Sequence, residues 1–179
     1  SVSSVARAIT RIGISNVRVI ALVVAMDQLA SENRPKPLRE RARNLWRHAV
    51  DAGAWGYALA RGLNAGSPDT ALLAGLMTEV GQLYLIARVG QYPSVAVDSK
   101  GFADVCEFWS TAVTDAIIES MELPPDMQDA ADPADPYAGA WPPATLRDVL
   151  HVARLIAEPD VAVDPHKREL RAARRAQMQ

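Results

Sequence analysis

Cysteine is nearly absent from this 179-residue chain, which contains only Cys106. A single thiol cannot form an internal disulfide, and it excludes the zinc modules that need several cysteines. A chain that does without disulfides is typical of a reducing compartment. We therefore expect a cytoplasmic protein that is stabilised by a packed core, for which 179 residues are sufficient.

An excess of charge of either sign is lacking as well. The sequence has 19 basic and 21 acidic residues, so its formal net charge is only −2. This balance argues against a surface devoted to nucleic acid, and no nucleic-acid partner is expected. The basic stretch Lys167–Arg175 is the local exception. Such a composition is more often a solvated terminus, so nucleic-acid binding through it is the weakest of three functional hypotheses.

Long apolar runs are also missing. The longest, Val17 to Met26, contains Arg18 and is much shorter than the roughly 20 residues of a membrane-spanning helix. The opening residues do not combine a basic segment with an apolar core, as a secretory signal does. We expect no association with a membrane.

Helical apolar periodicity, in contrast, is abundant, most of all from Ser67 to Gly90. Ser67 suits an N-cap, Pro68 the first helical position and Gly90 a stop. At 100° per residue the apolar side chains form one broad face, and small residues leave room for close packing on the opposite side. The face consists of Leu72, Leu73, Leu76, Met77, Val80, Leu83, Tyr84 and Ala87; the small side consists of Ala71, Ala74, Gly75 and Gly81. We predict a buried central helix, in which the carboxylate of Glu79 needs a partner.

The rest of the sequence also indicates helices. Apolar residues at helical spacing predict them over residues 1–12, 15–30, 38–63, 102–123 and 146–157. On the third, His48 lies on the inward side, and the outer face carries Arg39, Arg43 and Arg47. The fourth stretch is expected to form one or two helices, which are anchored by Trp109, Val113, Ile117 and Met121. Because no strand alternation is flanked by hairpin turns, the predicted fold class is all-α, a multi-helix bundle around the central helix. We divide the chain into a helical domain, 1–158, and a basic C-terminal helix or tail, 159–179.

Motifs for catalysis without a metal are missing. No stretch matches a nucleophile elbow or a cysteine-protease signature, and GLMTEVG lacks the lysine and the strand-to-helix context of a phosphate-binding loop.

Four stretches in this order resemble the motifs of HDOD domains, a divergent bacterial branch of the HD phosphohydrolase superfamily. The residues SVSSVARAITRIG resemble the S-x-x-x-A-I-x-x-L-G motif found midway along these domains, and LWRHAVDAGAWGYALA is similar to their W-x-H-S helix. GLMTEVGQLYL is similar to the G-L-L-H-D-I-G helix, and MELPPDM to the W-x-L-P turn. The resemblance covers residues 1 to about 157 and implies an HD-like bundle. The helices that normally come before the first motif are not in the chain, which suggests a fragment or a divergent short form.

In catalytic HD enzymes a histidine, an adjacent His-Asp pair and a later aspartate hold metal ions. The resemblance places His48 at the first of these positions, Thr78 and Glu79 at the His-Asp pair, and Arg154 at the last aspartate. Because arginine cannot bind a cation and threonine replaces a ligand, two donors remain, too few for a dedicated site. The resemblance therefore implies a vestigial site with no metal, no cofactor and no catalytic residue.

The same residues also have a plain structural interpretation. An inward histidine on an apolar helix is more often a hydrogen-bonded core residue than a ligand. We further hypothesise that Arg154 supplies the positive charge that faces Glu79 in place of a metal, while a neutral His48 bonds to Thr78 or Glu79.

The favoured functional prediction is a non-catalytic interaction module of a bacterial regulatory protein. The resemblance implies a signalling scaffold with a protein partner such as a receiver domain or a cyclic-di-GMP turnover domain. The alternative is a residual metal-dependent phosphohydrolase that acts on a phosphoester or nucleotide.

Overall fold

All regular structure in the described part of the chain is α-helical, as predicted. The computed structural model describes residues 5–31, 35–92, 99–123, 125–131 and 141–157. Within these ranges the helices are α1 Val5–Ile12, α2 Ile14–Ser31, α3 Lys36–Leu63, α4 Pro68–Met77, α5 Val80–Val89, α6 Ser99–Ser120, α7 Pro125–Ala131 and α8 Leu146–Ala157. The predicted basic C-terminal helix and the division after residue 158 lie outside the described residues.

The stretch predicted to be one central helix consists of α4 and α5, which meet at Thr78 and Glu79. Its start is as predicted, because the Thr70 N–H donates to Ser67 Oγ at 3.3 Å. Its continuity was wrongly predicted. The Thr78 N–H donates to Gly75 O, only three residues back, and Glu79 has φ −106° and ψ 10°, outside the helical range. Regular helical bonding therefore stops at the two residues that the motif comparison singles out.

Most of the apolar side chains of this stretch are buried inside the helical bundle. Pro68–Val89 is long and apolar enough to cross a membrane by length and composition alone, but 67% of its most apolar window is buried. Its small side packs as predicted, with Ala71 and Ala74 fully buried. Tyr84 was wrongly assigned to the buried face, since its side chain is exposed.

Glycines allow α3 and α4 to cross with their backbones in contact. A Cβ added to Gly75 would lie 2.5 Å from Gly53 Cα, and one added to Gly56 would lie 3.1 Å from Ala71 O. These pairings show that the two helices run antiparallel. His48, five residues before Gly53, is therefore level with the residues that follow Gly75.

The buried face of α6 differs from the predicted one at Trp109, whereas Val113, Ile117 and Met121 are partly buried and pack on the core as predicted. Trp109 was expected to anchor this helix, yet it is exposed, and the buried residues are instead Phe102, Cys106, Thr114 and Ile118. The reason lies in α5: Gly81 has no side chain, and a Cβ there would collide with Ser110 O and Thr114 Oγ1. This close approach brings Ser110 and Thr114 against Gly81 of α5, and Trp109 is left outside.

The buried residues form two apolar clusters. One joins α4, α7 and α8 and includes Met77, Met127 and Leu150. The other joins α2, the start of α3, α5 and α6, and includes Leu83 and Phe102. Because α4 belongs to the first cluster and α5 to the second, the break at Thr78 and Glu79 lies where the two clusters adjoin.

Candidate functional site

Three parts of the fold bring the predicted site residues together. His48 comes from α3, Thr78 and Glu79 come from the break between α4 and α5, and Arg154 comes from α8. His48 Nδ1 lies 2.7 Å from Glu79 Oε1, and His48 Nε2 lies 3.4 Å from Arg154 O. The imidazole ring is therefore the centre of the cluster.

His48 and Glu79 form a largely buried ion pair. Their side chains are 16% and 9% exposed. The hydrogen bond to Glu79 raises the pKa of His48 above its usual 6.5, although burial opposes this change. Both ring nitrogens face an acceptor, a carboxylate oxygen on one side and a carbonyl oxygen on the other. Only the doubly protonated ring can donate to both, so the geometry favours the imidazolium form.

The second carboxylate oxygen of Glu79 is bonded as well. Gln82 Nε2 donates to Glu79 Oε2 at 3.3 Å, and Arg41 Nη2 donates to Gln82 Oε1 at 3.3 Å. The Arg41 guanidinium lies 5.2 Å from the centre of the Phe102 ring. Sequence reasoning missed Arg41 and Gln82. Their spacing was the available signal, because Gln82 is one turn after Glu79 and Arg41 is two turns before His48.

Thr78 is turned toward its own helix. Its buried hydroxyl donates to Gly75 O at 2.9 Å, so this carbonyl accepts from both the N–H and the hydroxyl of Thr78. A threonine at this position therefore supports the local backbone.

The predicted pairing of Arg154 with Glu79 is wrong. Among the described residues, the positive group in contact with Glu79 is His48, and Arg154 contributes its backbone carbonyl to the cluster. The Arg154 guanidinium is near enough to lower the pKa of His48 slightly against the stronger effect of Glu79. Sequence reasoning placed Arg154 correctly in the cluster but assigned the wrong atom to the contact.

The residues present do not fit a metal ion. In the part of the chain that the structure describes, no group of three or more His, Cys, Asp or Glu side chains is placed to hold one. The two remaining donors, His48 and Glu79, are bonded to each other, and the cationic Arg154 lies beside them. A divalent ion would have to break the ion pair and overcome a positive charge.

Comparisons with known proteins identify the fold and the family of the chain. A crystal structure from Shewanella amazonensis SB2B, of a protein named provisionally as a metal-dependent phosphohydrolase, is similar with a TM-score of 0.67 and 22% sequence identity. The match covers 96% of this chain, which spans 62% of the length of that protein, and an identity this low shows the fold alone. No significant match occurs among curated proteins. The sequence matches the HDOD domain family over residues 1–132. The chain therefore belongs to the HDOD domain family, within the HD superfamily.

Proposed function

We propose that this domain is a non-catalytic interaction module of a bacterial regulatory protein and that its metal site has been rebuilt as a structural ion pair. The His48–Glu79 contact carries the proposal, because it engages both donors that the ligand positions retain. The partner is a protein, and the HDOD resemblance suggests receiver domains or cyclic-di-GMP turnover domains. The cell compartment is proposed to be the cytoplasm.

The name of the Shewanella protein supports a second candidate, a residual metal-dependent phosphohydrolase. The two candidates differ in a single measurable property, the stoichiometric binding of a divalent ion. A phosphodiester substrate such as bis(p-nitrophenyl) phosphate then reports whether a bound metal activates water.

Metal analysis of two proteins separates the candidates. We expect the wild-type chain to contain no stoichiometric metal and to bind no Mn²⁺ in calorimetric titration. The triple variant Thr78→His, Glu79→Asp, Arg154→Asp restores the ligand types at the motif positions, and we expect it to bind Mn²⁺. Thermal unfolding of both proteins confirms that they are folded.

Two results would contradict the proposal. One metal ion per wild-type molecule, with turnover of the phosphodiester, would establish the enzyme. A folded triple variant that takes up no metal would show that these positions do not derive from a metal site.

A further inference from the structure

The outer face of α3 is basic at both ends and has small apolar residues in its middle. Its exposed side chains fall within an arc of about 80° when 100° is taken per residue. They are Lys36, Glu40, Arg43, Arg47, Val50, Ala54, Ala58 and Arg61, of which Lys36 and Glu40 form an ion pair with each other. Val50 is 40% exposed. The opposite side of α3 packs on α4 and α8, so this face points away from the bundle.

The arginines of this face are not neutralised within the described part of the chain. Arg43, Arg47 and Arg61 form no ion pair with a described side chain. Arg43 and Arg47 are one helical turn apart, where like charges destabilise a helix. An acidic surface docked on this face would remove that repulsion.

The outer face of α6 has the opposite character. Phe108 is 76% and Trp109 is 52% exposed, and their rings meet edge to face with centres 5.2 Å apart. The exposed residues Ala112 and Ala116 extend this apolar patch by two turns, the exposed acid Asp115 lies beside them, and the exposed acids Asp104 and Glu119 lie at the two ends of the face. Exposed aromatic pairs of this kind are rare on a free surface and common at the centres of protein interfaces.

We propose that the α6 face of one molecule docks on the α3 face of a second copy of this chain. The two faces match in length, since Arg47 and Arg61 are about 21 Å apart along α3, and Asp104 and Glu119 are about 22 Å apart along α6. An antiparallel alignment therefore brings an acid against an arginine at both ends.

The same alignment also matches the sizes of the side chains. It lays the Phe108–Trp109 pair over Ala58, where a small side chain leaves room for two rings. Toward the other end it places Ala112 opposite Ala54 and Ala116 opposite Val50. The two bulky rings thus meet a small residue, and small or medium-sized apolar side chains face each other along the rest of the contact.

A symmetric contact between two α3 faces does not satisfy these charges. An antiparallel pair centred between Val50 and Ala54 sets Arg43 of one copy opposite Arg61 of the other at both ends. A pair of α6 faces likewise brings acids together. The contact is therefore between unlike faces, and each docked pair retains one free face of each kind, from which a ring or a chain of molecules grows. The proposed contact between the α3 and α6 faces does not depend on the proposed function, because neither face includes a residue of the vestigial site.

Mixing two variants tests the proposal. The α3-face variant carries Arg47→Gln and Arg61→Gln, and the α6-face variant carries Phe108→Ala and Trp109→Ala. In sedimentation velocity at low salt we expect wild-type chain to associate at or below roughly 100 µM, and each variant alone to associate at least about tenfold more weakly. When the two variants are mixed in equal amounts, the intact α6 face of the α3-face variant docks on the intact α3 face of the α6-face variant. The resulting dimer has no further intact face and does not grow. Added salt weakens both associations.

Matched substitutions control for general effects. Arg88→Gln and Tyr92→Ala remove an exposed arginine and an exposed aromatic ring outside the two faces, and they should associate as wild type does. All substituted side chains are exposed, so every variant should keep the wild-type unfolding midpoint. Phe108→Ala alone is a milder α6-face variant in case the double one is less stable. A monomeric wild type, undiminished association of the α3-face variant alone, or a mixture that forms no dimer would each overturn the proposal.

Discussion

His48 is held between a carboxylate and a carbonyl oxygen, and in this position it supplies the site with a positive charge from the protein itself. A buried carboxylate needs a counter-charge, which the imidazolium provides at 2.7 Å. Unlike a metal ion, a histidine can also give up its charge when its partner is removed. Removing His48 and removing Glu79 should therefore lower the free energy of unfolding by different amounts.

We predict that His48→Ala destabilises the domain more than Glu79→Ala does. Without His48 the carboxylate of Glu79 is left buried without a positive partner, at a cost of about 3 to 5 kcal/mol. Without Glu79 the imidazole loses its proton near neutral pH at little cost, so the loss is about 1 to 3 kcal/mol, as for an unsatisfied hydrogen bond. Urea denaturation at pH 7 measures both free energies of unfolding.

The corrected pairing has its own control. Arg154→Leu, combined with Glu79→Ala, should give additive losses, whereas His48→Ala combined with Glu79→Ala should be strongly non-additive. Strong coupling between Arg154 and Glu79 would restore the pairing that the sequence suggested.

Stability should also depend on pH through His48. Its pKa is raised in the folded protein, so the folded state holds this proton more tightly than the unfolded chain. The stabilisation is complete below the unfolded value of 6.5 and is lost as the pH rises through the raised folded value. Unfolding free energies measured from about pH 5.5 to about pH 8.5 should fall by more in wild type than in Glu79→Gln, which lacks the charge of the partner. Equal slopes in the two proteins would contradict this assignment.

The sequence identified the site residues but not their contacts. Motif positions depend on spacing, which a sequence carries directly, and His48, Glu79 and Arg154 are in contact, whereas the Thr78 hydroxyl bonds to Gly75 O. Which atom of Arg154 faces the cluster depends on the orientation of α8, which spacing along one helix does not determine. Gln82 and Arg41 were missed for the same reason, since a polar side chain on an inward face has many possible partners until the helices are packed.

At the scale of elements, the crossing of α3 and α4 determines which residues of the two helices lie opposite each other at the site. The glycines at this crossing should tolerate no side chain. Gly75→Ala would place a methyl group against the backbone of Gly53, so we predict a loss of about 1 to 3 kcal/mol through overpacking. Gly62→Ala is the matched control on α3, because its Cβ would meet nothing within 4 Å. That change should be neutral or stabilise by up to about 1 kcal/mol. Equal effects in thermal unfolding would mean that the helices can separate at little cost.

Helix positions were predictable because apolar periodicity is a local property. Which side of a helix is buried was less so. On α6 the predicted stripe packs on the core at Val113 and Ile117, yet Gly81 on α5 admits Thr114, and Trp109 is left exposed. The break at Thr78 and Glu79 was hidden for a similar reason, because both residues fit a helix by propensity and only packed neighbours show where bonding stops.

At the scale of the whole molecule, the folded body extends further along the chain than the match to the HDOD family does. The match to HDOD domains stops at residue 132, but α8, which spans Leu146–Ala157, inserts Val149, Leu150 and Ala153 fully into the core. Its packing on α3 and α7 closes the first apolar cluster. The domain therefore extends at least to Ala157.

Two truncations test where the folded body ends. Ending the chain after Ala131 removes α8 and exposes the apolar surface of α3 and α4 that it covers, so this protein should lose its cooperative thermal transition. Ending it after Glu158 removes only the predicted basic tail. That segment lacks an apolar stripe that could pack on the body, and the unfolding midpoint should stay at the wild-type value. A marked fall in the midpoint of the second protein would show that the basic tail packs on the bundle, and the division after residue 158 would then be wrong.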